Sequence, residues 1–366
     1  MKKILINASN LHVGGGVQVA ASFISELALI LDQYPNANIT ILASSKVISS
    51  LSVNIDITVF AGFHELNVNG VKKIEKSQKE LFNGFDVCFT IFGPFYHSLN
   101  VRKHVVGFAQ PWIAYPNNEV YQKLSLFHRM RNYLKFYIQK LIFLKYDELI
   151  VEADHVKNAL EQQGFTQHIH VVPNCVSSHF NSKYRTTPLR IDKSRGYVLG
   201  YLGKPYEHKN IELFAHVSKI LRDKYNIDHQ FVFSLTEEEM IRFGFHRIDN
   251  FLTFGELTSA ECPAFYKSLD ALVFPSLLEC FSASPIEAMA MGVPVIASER
   301  PFISDFCKDS AVYFDPLSSC DIAEKISNTL SKPELMLQLS EKGKIIVSGM
   351  HSPRMRAIKY MNILVR

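Results

Sequence analysis

Residues 271–298, ALVFPSLLECFSASPIEAMAMGVPVIAS, constrain the fold more than any other stretch of the chain. The apolar run Ala271-Leu272-Val273-Phe274 stops at Pro275, the pattern of a parallel strand buried on both faces and followed by a loop. Ser284-Pro285-Ile286-Glu287 then supplies a capping residue, a proline at the first helical position and a Glu at the reciprocal capping position, which predicts a helix start with a capping box. Gly292 predicts its end, Pro294 prevents its resumption, and Val295-Ile296-Ala297 reads as the next strand. The unit is strand, loop, short helix, strand, as in a doubly wound α/β sheet.

Such sheets bind ligands at the carboxyl ends of their strands, where loops and helix starts offer backbone N–H groups to anions. The loop from Ser276 to Ala283 lies there and carries Glu279, with Glu287 following on the predicted helix. Capping alone accounts for Glu287, whereas a loop Glu279 does nothing for packing and reads as functional. Two carboxylates beside an anion-attracting helix start suit a ligand with both phosphates and hydroxyls, such as a nucleotide sugar.

Glu279 and Glu287, with seven residues between them in PSLLECFSASPIEAMAMGVPVIAS, resemble the signature of retaining glycosyltransferases of family four, of the glycosyl transferases group 1. The resemblance implies two Rossmann-like doubly wound parallel-sheet domains facing a cleft, the GT-B fold. It implies that Glu279 contacts the transferred sugar and that Glu287 holds the ribose of the nucleotide. The family usually has Gly-Phe-Gly after the first Glu. Here Cys280-Phe281-Ser282 stands in its place, and Phe281, Ser282, Ala283 and Ser284 are expected against the donor.

A chain of 366 residues exceeds a usual single core, so two domains are expected, at 1–180 and 195–349, with the helix of 350–366 packing back on the first as the resemblance implies. Hydrophobic residues at 47% and charged residues at 20% are globular values, and a net charge of +4 is too small to point to a nucleic-acid partner. The six cysteines contain no C-x-x-C pair, so neither a zinc site nor a disulfide framework is indicated and a reducing cytosol is expected. The first residues read as a strand rather than a signal peptide, and no apolar run approaches about 18 residues, so no spanning helix is expected.

Along the first half, Ile4-Asn7, Ile39-Ala43, Ile57-Phe60, Val87-Phe92, His104-Ala109, Glu148-Val151 and His168-Asn174 read as strands. The glycine run Gly14-Gly15-Gly16 precedes a helical pattern, and the family resemblance makes Gly15 and Gly16 candidate donor or acceptor contacts. Gln110 and Trp112, in a loop crowded with aromatics and prolines, read as an acceptor pocket wall or as plain loop packing. Gln110 stands near the place where many family members have His, and Gln hydrogen-bonds without carrying a proton. The pair His168 and His170 lacks a third ligand, so no metal site is expected from it.

From Tyr121 to Tyr146 the chain holds six Lys and Arg residues and no acid, interleaved with large apolar side chains. This stretch reads as an amphipathic helix or a pair of them, and two readings stand open: lying on an anionic membrane surface, or packed in the core with a solvated basic face.

Residues 177–195 read as the linker, and the second domain opens with the strand Gly196–Gly203 and Asn210 as a possible N-cap. The resemblance places Lys204 and Lys209 on the donor diphosphate, with Gly203 beside them; Lys204 stands where the family has Arg. No Asp-x-Asp occurs, so the lysines are expected to take the place of a metal and no cofactor is expected. The function expected is hexose transfer from a nucleotide-diphosphate sugar to a glycan or lipid-linked acceptor. It would serve polysaccharide or lipopolysaccharide assembly, in the cytoplasm or on the inner membrane face. The alternatives are a catalytically inactive binding protein of the same fold and a nucleotide-sugar epimerase.

Overall fold

The computed structural model describes residues 1–52, 54–180 and 187–366. The chain forms two compact units, one of residues 1–117, 124–175 and 351–366, the other of 118–123 and 176–350. These differ from the boundaries 1–180 and 195–349: the first unit ends at Cys175, and the short segment 118–123 leaves it to join the second. Part of the expected linker 177–195, residues 181–186, lies outside the described residues.

The first unit is built on a wholly parallel sheet in the order β3-β2-β1-β4-β5-β6-β7. Its strands are β1 (Lys2–Ala8), β2 (Ala37–Ala43), β3 (Gly62–Glu65), β4 (Val87–Thr90), β5 (Lys103–Gly107), β6 (Glu148–Val151) and β7 (His168–Val171). The strand expected at Ile57–Phe60 is instead a 3-10 turn at Ile57–Val59, because the Asp56 carboxylate accepts from Thr58 N at 2.9 Å and caps it. The chain enters the sheet only at Gly62.

The helix Gly15–Ile30 covers one face of this sheet, burying Phe23, Ile24 and Leu27 completely. With Leu31–Gln33 it is long and apolar enough by composition to cross a membrane, at a mean hydropathy of 1.3, and half of it is buried inside the protein. The last helix, Pro353–Leu364, packs against it through Tyr360, whose ring centroid is 5.0 Å from that of Phe23. Arg356 of the last helix is 2% exposed and donates to Asn174 Oδ1 at 2.6 Å and Ser22 Oγ at 2.9 Å. These charge-assisted bonds satisfy much of its buried guanidinium.

The second unit has a parallel sheet in the order β10-β9-β8-β11-β12-β13. Its strands are β8 (Tyr197–Tyr201), β9 (His229–Phe233), β10 (Phe251–Thr253), β11 (Ala271–Phe274), β12 (Val295–Ser298) and β13 (Ala311–Phe314). Side chains alternate between two cores: Leu199, Tyr201, Phe231, Phe233 and Val273 on one face, Val198, Val232, Leu272 and Phe274 on the other. Each large side chain so buried contributes roughly 1.5–3 kcal/mol. Gly200 is required within β8, since a Cβ there would lie 2.2 Å from Leu269 Cδ1.

Strand order reverses direction at β8, which pairs with β9 on one side and β11 on the other. A doubly wound sheet opens a crevice beyond the carboxyl ends of the two strands at such a reversal. The loops there are 202–210 after β8 and 275–282 after β11.

Of the one or two helices expected in the basic segment, two form. A short helix, Val120–Lys123, belongs to the second unit, and a separate helix, Leu126–Phe143, begins after Ser125. Ser125 caps it by accepting from His128 N.

Candidate active site

The two crevice loops of the second unit are stitched together by backbone. Leu277 N donates to His208 O at 2.7 Å, and Ser276 Oγ lies 3.2 Å from the same carbonyl. This brings Lys209 against Glu279. Lys209 Nζ pairs with Glu279 Oε1, each side chain being 13% exposed, and Ser276 Oγ donates to that oxygen at 2.9 Å. The ammonium also sits 5.1 Å from the centroid of the Phe274 ring. Two charges this poorly hydrated are costly apart, so each holds the other in place.

Asn210 fixes the end of the first loop, and not as the N-cap expected of it. It adopts a left-handed conformation, φ 60°, and is fully buried. Its side chain donates to Pro316 O at 2.7 Å and accepts from Lys123 Nζ. Lys123 also pairs with Glu212 at 2.7 Å, while Glu119 pairs with Arg300 at 2.9 Å. The segment 118–123 is therefore tied at both ends to the second unit, next to the loop that carries Lys209.

Lys204 points elsewhere, pairing with the exposed Glu256 at 3.1 Å. Gly203 has φ +154°, a conformation side chains rarely adopt, and its N–H donates to Ser234 Oγ at 3.0 Å.

The helix after the second loop begins at Ala283, two residues before the expected first helical residue Pro285, and its N-cap is Ser282, which makes no side-chain capping bond. The capping box at Ser284 is absent, because the Ser284 hydroxyl donates instead to Leu202 O at 3.1 Å, tying the helix start to the end of β8. Capping therefore does not account for Glu287. Its Oε2 accepts from the Tyr266 hydroxyl at 2.9 Å. Burial pushes this carboxyl up to about 7, with the Tyr266 bond opposing. The neighbouring Tyr266 hydroxyl is raised as well, by burial and then by the Glu287 charge, and the Cys262 thiol is pushed up to about 12 by the same two causes. Phe281 turns toward the core, edge-on to Phe306 at 4.8 Å, while Ala283 is exposed at the helix start.

The structure thus brings Lys209, Glu279, Glu287, Gly203, Ser282, Ala283 and Ser284 to one end of one sheet. The arrangement offers an ammonium and first-turn N–H groups to an anion, and carboxylates to hydroxyls. Tyr266, Ser276, Asn210 and Lys123 were not singled out for these positions in the sequence.

In the first unit, Gly14 alone of its glycine run has positive φ, at 73°, and is the N-cap of the helix that Gly15 begins. A Cβ on Gly15 would meet nothing within 4 Å, and one on Gly16 would make ordinary contact with Leu11 and Phe92 at 3.4 Å. Among the described residues no contact explains the missing side chains. Gln110 caps the short helix Pro111–Ala114 through its backbone carbonyl, at 3.0 Å from Ile113 N. Trp112 stacks on Phe136, with centroids 5.3 Å apart and planes 4° apart. His170 is engaged by Glu148 at 2.8 Å. Among the described residues no group of three or more His, Cys, Asp or Glu is placed to hold a metal ion.

Residues 190–345 match the family described as glycosyl transferases group 1. The chain is 27% identical over 162 residues to the O-antigen chain mannosyltransferase RfbU of Salmonella typhimurium, covering 43% of this chain and 45% of the relative. It is 35% identical over 92 residues to the lipopolysaccharide 1,2-N-acetylglucosaminetransferase of the same organism, covering 24% of each. The matched part spans less than half the length of these curated relatives. Among solved structures, Anabaena Alr3699/HepE in complex with UDP-glucose superposes with a TM-score of 0.70 over all of both chains, at 13% identity. The fold is that of GT-B glycosyltransferases, two Rossmann-like parallel-sheet units.

Proposed function

We propose that the protein is a hexosyltransferase that moves a sugar from a nucleotide-diphosphate donor to a glycan or lipid-linked acceptor. The observation that carries this reading is the Lys209–Glu279 pair at the reversal between β8 and β11, with Glu287 on the adjoining helix, all within the segment matching the family.

Breaking the bond between the anomeric carbon and the diphosphate puts negative charge on the leaving phosphate and oxocarbenium character on the sugar. Lys209 and the helix start at Ala283 serve the first, with Lys204 recruited from Glu256 when the donor binds. Glu279 serves the second, held by Ser276 and Lys209. Glu287, oriented by Tyr266, accepts from the ribose hydroxyls. The lysines supply the positive charge that a divalent cation provides elsewhere, so we assign no metal or other cofactor to the reaction. The resemblance to family four supports retention of configuration, with the acceptor hydroxyl approaching from the leaving-group side. Gly15, Gly16, Gln110 and Trp112 are assigned to the acceptor or the transferred sugar. The names of the Salmonella relatives favour a role in lipopolysaccharide or surface polysaccharide assembly, on the cytoplasmic side of a membrane.

The test is a thermal-shift panel of UDP, GDP, ADP and TDP sugars on wild type and Glu287→Ala, followed by transfer assays on lipid-linked acceptors. A ligand at a hundredfold its Kd stabilises the folded state by about 2.7 kcal/mol. A shift with one nucleotide class, lost in the variant, together with a glycosylated acceptor, supports the proposal. Saturable binding without transfer would favour an inactive binding protein, and a changed nucleotide sugar formed without acceptor would favour an epimerase. Folded protein that no nucleotide stabilises overturns it.

A further inference from the structure

The helix Leu126–Phe143 is attached to its unit by a narrow seam. Its buried residues are Phe136, Gln139 and Phe143. Phe136 stacks on Trp112, Gln139 Nε2 donates to Tyr96 Oη at 2.7 Å, and Phe143 packs edge-on to Phe108 at 4.9 Å. Opposite this seam the helix is apolar and in water. Leu126 is 77% exposed, Phe127 73%, Met130 72% and Leu134 62%, and Tyr137 and Ile138 are exposed with them.

At about 100° per residue these six side chains fall within about 120° of arc, centred about 180° from the seam. Arg129 and Lys140 lie along one edge of the stripe and Arg131 and Lys135 along the other, and the helix has no Asp or Glu. A core helix buries its apolar face, and this one exposes it, so the reading of a core helix with a solvated basic face fails.

We propose that this face lies on an anionic lipid bilayer, parallel to the surface. The stripe would enter the boundary between headgroups and acyl chains, while the bases on both edges extend to lipid phosphates. The flanking charge selects this occupant over a second copy of the chain. In a self-paired helix, basic edges would face basic edges with no acid to offset them, and a stripe of this width exceeds the narrow seam of a helix pair. The proposal rests on the helix alone and stands or falls separately from the transfer chemistry.

Flotation of the full chain with vesicles of phosphatidylcholine alone, or of phosphatidylcholine with phosphatidylglycerol, tests it. Binding is expected to the mixed vesicles, to weaken with added salt, and to be weak to the neutral ones. Arg131→Glu with Lys135→Glu should lower the partition coefficient about tenfold or more, and Phe127→Ser with Leu134→Ser should do the same. These positions are exposed, so the melting temperature should stay at the wild-type value. Absence of binding to anionic vesicles overturns the proposal, as does binding that neither pair of substitutions changes. A concentration-dependent dimer abolished by Phe127→Ser with Leu134→Ser would also overturn it, in favour of a second copy.

Discussion

Tyr266 donates its hydroxyl to Glu287 Oε2 at 2.9 Å, and the two residues come from different helices of the second unit. The bond fixes the carboxylate at the carboxyl end of the sheet and leaves its other oxygen for a ligand. Tyr266→Phe keeps the ring that packs in the core and removes only the donor. A hydrogen bond to a charged group contributes about 1.5–3 kcal/mol, so nucleotide affinity should fall roughly tenfold or more. Calorimetric titration with the nucleotide that stabilises wild type measures it. An unchanged Kd would mean that Glu287 does not hold the nucleotide in this orientation.

The same carboxyl gives the protein a pH signature. Its pKa is raised from 4.5 to about 7 in the folded state, so folding favours the protonated form. Its contribution to stability is therefore full below 4.5, is lost as pH rises toward 7, and is flat above. Glu152, buried and also raised to about 7, acts in the same direction, so the difference between wild type and Glu287→Gln isolates Glu287. Donor binding should have the opposite slope, because under the proposed function the ribose hydroxyls donate to the carboxylate. Affinity should rise between pH 5 and 7 (about the folded pKa) and lose that rise in Glu287→Gln. Parallel pH profiles for the two proteins would refute this.

The strands at 271–274, 295–298 and 311–314 were legible because apolar runs bounded by proline, glycine or polar residues have few other fates in a long α/β chain. The loop position of Glu279 was legible because a Glu there serves no packing, and Lys209 was legible through its place after β8 in the family resemblance. The surroundings of Glu287 were not. Its local pattern names a cap, but the capping box is lost to Leu202, which takes the Ser284 hydroxyl, and the partner of Glu287 is Tyr266, twenty-one positions away. Asn210 misled in the same way, since a residue that begins helices also tolerates the left-handed conformation it adopts here. The face that the basic helix would expose was undecidable in sequence, because a core stripe and a membrane stripe share one periodicity.

Lys209 and Glu279 should behave as one unit. Glu279→Gln preserves shape but removes the charge proposed to face the sugar, and Lys209→Met removes the charge proposed to face the diphosphate and takes from Glu279 its ion-pair partner. Each should lower kcat by about 10²–10³-fold, and the double variant should lose less than the product of the two. Strictly multiplicative losses would show that the two residues act separately.

Transfer should survive chelation. If Lys209 and Lys204 supply the positive charge as proposed, dialysis against EDTA should leave kcat within about twofold of the untreated protein, and added Mg²⁺ or Mn²⁺ should not raise it. A loss on chelation that a divalent ion restores would assign the diphosphate to a metal instead.

The segment 118–123 yields a prediction that separates positioning from folding. Lys123 holds Asn210 and Glu212, and Asn210 directly follows Lys209. With 29% of its side chain exposed, Lys123 contributes little to stability as an ion pair, but its loss frees the left-handed turn that aims Lys209. Lys123→Met should therefore raise KM for the donor about three- to tenfold while leaving the melting temperature within about 2 °C of wild type. Lys123→Arg, which retains charge and donors, should recover most of that loss. A drop in melting temperature matching the loss of activity, without rescue by Arg, would make the segment a structural tether with no bearing on the loop.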